Sequence, residues 1–314
     1  MRDLRLVTAA GPCLWGTNYL VTTQLLPPDR PFLAAAARAL PAGLLLWLAV
    51  GFTLPRGRWW WRAAVLGALN IGLFFVLFFI GAYRLPGGIA AVLGAMGPFL
   101  VAGLSYPLLG HRVSRRVLVA ATIGVLGVGL LVLRSTAALD PLGLLASGAG
   151  VVVVSVATVL GRRWGTPSVS RPVLTLTAWQ LTFGGLLLAP LALLVEGPPP
   201  ALTGANVLGF AYLALVGTAV AHFLWFQGVQ RLAPTSITLL SLLSPVVAAV
   251  IGWAVLGQAL SPGQLVGAVA VLGAVLLGTS VRTAGASART VRTPIRTVPP
   301  AGTRPAALPA SRAA

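Results

Sequence analysis

The 314-residue sequence contains no lysine, one cysteine, two histidines and four acids. Each scarcity closes a class of chemistry. Without lysine there is no phosphate-binding G-x-x-x-x-G-K-[ST] loop. Cys13 alone cannot form an internal disulfide, and one cysteine with two distant histidines has no metal-ligand spacing. The acids Asp3, Asp29, Asp140 and Glu196 all lie outside the long apolar runs, so those runs hold no paired carboxylates. H-E-x-x-H and G-x-S-x-G are absent as well. Neither an enzyme nor an ATP-driven pump is expected, and no cofactor or metal is implied.

What is present is apolar residues and arginine. Hydrophobic residues make up 57% and charged residues 8%, against roughly half and roughly 25% in ordinary globular domains. A mean hydropathy of +0.94 places the chain in lipid. All 22 basic residues are arginine, giving a net charge of +18. They punctuate uncharged runs instead of lining one face, so nucleic acid is not an expected partner.

The charge-free or nearly charge-free runs are 6–28, 39–55, 63–83, 85–110, 117–133, 141–161, 172–195, 197–230 and 232–281. A hydrocarbon core of ~30 Å needs about 20 apolar residues per helix. Most runs hold one span; the last holds two, split at G-Q-A-L-S-P-G, where Ser261 suits a cap and Pro262 a first helical position. Extending the second run back to Pro31 gives a full-length helix that contains Arg38. The expectation is an all-α polytopic membrane protein with ten spans and both termini on one side. Arginine bias in short loops sets that side. With the N-terminus inside, only Arg30, Arg84 and Arg134 fall outside, and Trp59, Trp60 and Trp61 form an interfacial anchor within. Arg2 and Arg5 precede an apolar run without a small-x-small cleavage site, so a signal peptide is not expected.

The chain repeats itself at an offset of 147 residues. Phe79, Gly81, Arg84, Leu85, Leu93, Pro98, Ala102, Leu109, Gly110 and Ser114 match Phe226, Gly228, Arg231, Leu232, Leu240, Pro245, Ala249, Leu256, Gly257 and Ser261. Five spans per copy is an odd number, so the copies insert upside down relative to each other. That plan implies alternating access around a midplane site. Pro98 and Pro245 break backbone hydrogen bonding in matching spans and are candidate hinges, or tolerated kinks. Gly124, Gly127 and Gly129 in the fifth helix, and Gly263, Gly267, Gly273 and Gly278 in the tenth, permit close packing inside one chain or between two copies as a homodimer.

Several motifs are shared with a known family: W-G-T-N-Y at 15–19, L-P-P-D-R-P at 26–31, R-A-L-P-A-G at 38–43, N-I-G-L-F-F at 70–75, Y-R-L-P-G-G at 83–88, T-A-W-Q-L-T at 177–182 and L-L-S-P-V at 242–246. On these residues the sequence resembles the EamA type of the drug/metabolite transporter superfamily, most of all its PecM group of pigment or small-metabolite exporters. The resemblance implies two inverted five-helix repeats, 4–134 and 141–281, in a bacterial inner membrane. It implies export of a pigment, amino-acid derivative or toxic compound; uptake by the same fold, or a non-transporting scaffold, are the alternatives. One departure stands out. Where the family usually carries L-G-E at the end of the fourth and ninth helices, the acids are here replaced by His111 and Gln258, which puts any role of those carboxylates in doubt.

Ionisable groups inside a membrane are costly and normally face a cavity, a partner or the interface. Arg38, about a third of the way in from the outer face, has as possible partners a carbonyl, a lipid headgroup or an anionic substrate. His222 is the one mid-span group that titrates near neutral pH, suited to a proton relay, substrate binding or a plain interhelical hydrogen bond. Asn18, Tyr19, Asn70, Phe74, Tyr83, Trp179, Gln180 and Trp225 complete the cavity candidates, aromatic walls with a few amides that fix orientation. Trp179 and Gln180 hold the position in the second copy comparable to Arg38. The tail 282–314, with six arginines and five prolines, is expected to be a disordered cytoplasmic segment able to touch anionic lipid. A protein truncated near residue 282 is therefore expected to insert and function as the full chain does; loss of membrane insertion on fractionation would refute that expectation.

Overall fold

The structure, a computed structural model, describes residues 2–84, 92–110, 113–132, 140–257 and 259–279. His111, Gln258 and the tail lie outside the described residues. So do the side chains of Tyr19 and Tyr83.

Among the described residues the chain is helical, with no strand. The rods are α1 (Arg2–Leu25), α2 (Pro31–Ala49), α3 (Trp59–Gly67, Ala68–Leu73 and Phe74–Arg84), α4 (Val92–Leu109), α5 (Arg115–Val132), α6 (Pro141–Trp164), α7 (Pro172–Glu196), α8 (Gly204–Arg231), α9 (Pro234–Leu256) and α10 (Pro262–Thr279). Nine of them, α2 to α10, are long and apolar enough to cross a membrane. α1 falls outside that set, since Arg2, Asp3, Arg5, Asn18 and several threonines dilute its apolar content.

Helix starts follow the chemistry of orphan amides. Asp140 accepts from the Gly143 amide at 2.6 Å, with Pro141 at the first position of α6. Thr203 and Asn206 form a reciprocal capping box at α8. Ser261 and Gln264 do the same at α10, the Gln264 amide donating to Ser261 Oγ at 3.2 Å.

Burial sorts side chains by size. α2 buries Ala34, Ala35, Ala36, Ala39, Ala42 and Gly43 and exposes Leu44, Leu45 and Leu48. Leu194 is 84% exposed and Leu145 71%. In water this arrangement would be inside out; in lipid, which solvates leucine as well as a core does, close packing of small residues holds helices together. α2 and α7 form one such pair: a Cβ on Gly43 would lie 2.5 Å from the Thr182 nitrogen, and one on Gly185 2.7 Å from Leu40 Cα. α5 and α10 form another. There a Cβ on Gly127 would lie 2.9 Å from the Gly267 oxygen and 2.9 Å from the Val271 nitrogen. Gly124, Gly127, Gly267 and Gly278 approach neighbouring helices of the same chain closely, whereas Gly273 meets nothing within 4 Å. α1 is seated by Gly11 against Ala221 of α8 and by Gly16 against Val247 of α9.

Four rods carry distortions. α3 and α8 each contain a six-residue π-helical segment, Ala68–Leu73 and Leu215–Val220. α9 is interrupted at Leu242, which has φ −64° and ψ −12°, and the Leu242 amide turns back to the Leu239 carbonyl at 3.2 Å. α4 is interrupted in the same way at Met96, whose amide reaches Leu93 at 3.0 Å. Pro98 and Pro245 stand in the first turn after these interruptions, where a missing N–H costs least. α4 and α9 both end on a left-handed glycine, Gly110 at φ 69° and Gly257 at φ 63°.

Adding a methyl group at the α5–α10 seam forces backbone apart. Gly127→Ala is expected to destabilise the protein by about 1–3 kcal/mol, whereas Gly273→Ala, with nothing within 4 Å of its added Cβ, is expected to be neutral. Thermal unfolding in detergent compares the two; equal melting temperatures would refute the seam.

Candidate functional site

One residue of α8 gathers the ionisable groups of the interior. Thr218 Oγ1 accepts from Arg38 Nε at 2.8 Å, and the carbonyl of its neighbour Gly217 accepts from Arg38 Nη2 at 2.9 Å. One turn on, His222 Nδ1 lies 3.0 Å from the Thr218 carbonyl. A carbonyl only accepts, so Nδ1 carries the proton and Nε2 is left as an acceptor in the neutral ring. Thr218 and Gly217 belong to the π-helical turn, a distortion that recurs at functional sites because it turns carbonyls out of the helical ladder.

Aromatic rings enclose the cluster. Arg38 lies over the Phe75 ring, 5.2 Å from its centroid. Trp15 stands edge-on to His222 at 5.1 Å and beside Trp225 at 5.2 Å. Asn18 Oδ1 lies against Gly217, close enough that a Cβ there would collide with it. Both Asn18 Oδ1 and Trp15 Nε1 are buried without a hydrogen-bond partner. Each such atom costs about 1–3 kcal/mol while it has no partner; Arg5 Nε, Arg62 Nε, Ser155 Oγ and Thr182 Oγ1 share that condition elsewhere in the protein. A guanidinium at the centre of a membrane span costs roughly 2.5–3.5 kcal/mol on insertion, and less toward the interface. Among the described residues no carboxylate lies within ion-pair distance of Arg38.

Of the sequence-derived candidates, Asn18, Arg38, His222 and Trp225 therefore meet across α1, α2 and α8. Asn70 and Gln180 meet each other instead: Asn70 Nδ2 donates to Gln180 Oε1 at 2.8 Å, both side chains buried, between the π turn of α3 and α7. Phe74 packs on Phe75 and Phe78 and on Gly150 of α6. Trp179 is fully buried and donates to the Thr53 carbonyl at 2.8 Å, alongside Trp47, which donates to the same oxygen at 2.9 Å. It does not join Arg38. Both residues lie seven positions into their helices, but α2 and α7 run antiparallel, which sends them toward opposite ends of the pair.

The ends of that pair are clasped reciprocally. Arg30, the N-cap of α2, donates to the carbonyl of Glu196, the last residue of α7. Arg171, the N-cap of α7, donates to the carbonyl of Ala49, the last residue of α2, at 3.0 Å. The two caps share a backbone conformation, φ −126°, ψ 57° and φ −127°, ψ 68°. The Glu196 carboxylate also receives the Phe32 and Leu33 amides at 2.6 and 2.9 Å, closing the N-terminus of α2. At the same end Arg84 pairs with Asp140 at 3.5 Å. At the other, Arg62 is ringed by Trp59, Trp61 and Trp164 at 5.5–5.8 Å.

Thr218, Trp15, Phe75 and Glu196 were not among the sequence candidates. Thr218 had a signal, being one helical turn before His222; Glu196 was read for topology only.

A family model described as EamA-like transporter family matches residues 6–133 and 141–279. The chain is 46% identical over 266 residues to Protein PecM of Dickeya dadantii (strain 3937), covering 85% of this chain and 89% of PecM. It is 27% identical over 257 residues to the uncharacterized inner membrane transporter YedA of Escherichia coli (strain K12), covering 79% and 81%. A solved crystal structure at 22% identity matches with a TM-score of 0.74 over 88% of this chain and 97% of that chain, a likeness of fold alone.

Removing one partner of the Asn70–Gln180 bond leaves the other buried and unpaired. Asn70→Ala is expected to lower stability by about 1–3 kcal/mol, and the double replacement Asn70→Leu, Gln180→Leu to lower it less than Asn70→Ala does. Melting temperatures of the singles and the double test this; simple additivity would refute the pairing.

Proposed function

The chain belongs to the EamA-like transporter family and is a multi-pass membrane protein, and on that premise we propose that it exports a small metabolite by alternating access between inverted repeats. The observation that carries this reading is recurrence at one offset. The two π-helical turns, Ala68–Leu73 and Leu215–Val220, stand 147 residues apart. So do the left-handed Gly110 and Gly257, and so do the capping serines Ser114 and Ser261. Local distortions of this kind have no reason to repeat in register unless the copies share a fold. The antiparallel α2–α7 pair, with its reciprocal arginine clasps, supports copies of opposite orientation.

In this reading α1 is the tenth span, since its glycines seat it against α8 and α9. The repeats are 4–134 and 141–281, and Pro98 and Pro245 lie where rods bend. The end bearing Arg56, Arg58, Arg62, Arg162, Arg163 and Arg171 faces the cytosol by arginine bias. The end bearing Asp29, Arg30, Arg84, Asp140 and Glu196 faces out. Relatives named as inner membrane transporters support a bacterial inner membrane. Substrate binds among Asn18, Arg38, His222 and Trp225, with Phe75 and Trp15 as walls. Export, of a pigment or related metabolite, rests on the PecM resemblance; the same geometry admits uptake.

Comparing the medium of cells with and without the gene identifies the cargo: at least one metabolite is expected to fall several-fold outside and rise inside. Flux of that compound into proteoliposomes, with and without a proton gradient, is then expected to drop at least tenfold in Arg38→Gln. Unaltered flux would remove Arg38 from the site, and accumulation of the metabolite in the medium of the deletion strain would reverse the direction.

A further inference from the structure

Arg38 is a cation that the protein solvates without neutralising. Its Nε and Nη2 are held by Thr218 and Gly217, while Nη1 donates to nothing among the described residues. The four acids are spoken for or distant. Glu196 is engaged by the Phe32 and Leu33 amides, Asp140 by Gly143 and Arg84, Asp3 stands in the first turn of α1 and Asp29 in the turn before α2, and neither pairs with Arg38. The Thr218 hydroxyl and the Gly217 carbonyl hold one side of the guanidinium fork and leave its remaining edge for a planar anion, the geometry in which arginine excels. Asn18 Oδ1, which has no partner, lies against Gly217, whose carbonyl holds Nη2; Trp15 Nε1, also without one, belongs to the ring beside His222; and the guanidinium stacks on the Phe75 ring.

A cavity of about 590 Å³ opens at the clasped end of α2, lined by Asp29, Arg30, Pro31, Ile80, Arg84 and Glu196 among others. Pro31 and Arg38 are seven residues apart and share a helical face, so the cavity stands about 10 Å along α2 from the guanidinium at 1.5 Å per residue. Its lining balances two arginines, Arg30 and Arg84, against two acids, Asp29 and Glu196.

We propose that the cargo is a planar organic carboxylate, whose anionic group pairs with the free edge of Arg38 while an adjacent N–H or O–H donates to Asn18 Oδ1. This rests on the transport reading for its cargo, but the anion site stands on geometry alone. Neutralisation by the cargo is then what makes the interior cation tolerable in the loaded carrier.

The test uses the full chain in phosphatidylcholine nanodiscs, with matched probes: indole-3-acetate against indole-3-acetamide, and benzoate against benzamide. Binding read by tryptophan fluorescence is expected to favour the acid of each pair by at least tenfold. Arg38→Gln is expected to abolish the preference and Arg38→Lys to retain part of it. Asn18→Ala, which leaves the cation intact, is expected to weaken indole-3-acetate, which carries an N–H, more than benzoate, which carries none. Equal binding of acid and amide, binding of neither, or an undiminished preference in Arg38→Gln would overturn the proposal. If phosphatidylglycerol in the nanodisc displaces the acids, Arg38 serves a lipid headgroup and the proposal also fails. Should acid preference hold while no probe crosses proteoliposome membranes, the anion site stands and the transport reading falls.

Discussion

In hydrocarbon, every polar group must find its partner inside the protein, and this chain meets that demand almost without acids. The solution is to lend out backbone carbonyls. Buried hydroxyls of Ser105, Thr158, Thr177 and Thr279 donate to the carbonyl four residues back. Arg38 borrows Gly217, His222 borrows Thr218, Trp47 and Trp179 share Thr53, and the arginine caps of α2 and α7 each borrow the last carbonyl of the other helix. Carbonyls carry partial charge only. They solvate a guanidinium without cancelling it, which is why the interior remains electropositive at one point.

That point depends on how closely the rods approach. Gly217 and Asn18 touch because one has no side chain to keep the other away, and α2 reaches α7 through Gly43 and Gly185. Small residues thus perform two tasks here: they replace the hydrophobic effect as the cause of helix association, and they bring carbonyls of one rod within reach of donors on another.

Much of the architecture was legible because lipid imposes coarse, long-range signals on sequence. Uninterrupted apolar runs marked nine helices and the α1 rod; Ser261 and Pro262 marked the start of α10; the only two ionisable groups in mid-run, Arg38 and His222, proved to share one residue. The finer assembly was not legible. Nothing in A-L-N-I-G-L or L-V-G-T-A-V announces a π-helical turn, because the propensities that separate one helical form from another are smaller than the packing that selects among them. Trp179 holds in α7 the position that Arg38 holds in α2, and because the two helices run antiparallel the pair does not come together. Glu196 and Arg30 served as markers of sidedness, a use that hid their hydrogen bonds.

The π-helical turns bear on how such helices are drawn. A π turn accommodates one residue more than the α-helix it interrupts, so everything beyond it is rotated by about 100° from where a regular helix would put it. Phe75 follows the first turn, and His222 and Trp225 follow the second. On an unbroken helical wheel these side chains would point elsewhere. Deleting a single residue between Ala68 and Leu73 would leave a perfectly regular helix, with every hydrogen bond made and Phe75 swung away from Arg38. The winding of two short segments, more than any one side chain, decides which face of each rod looks inward.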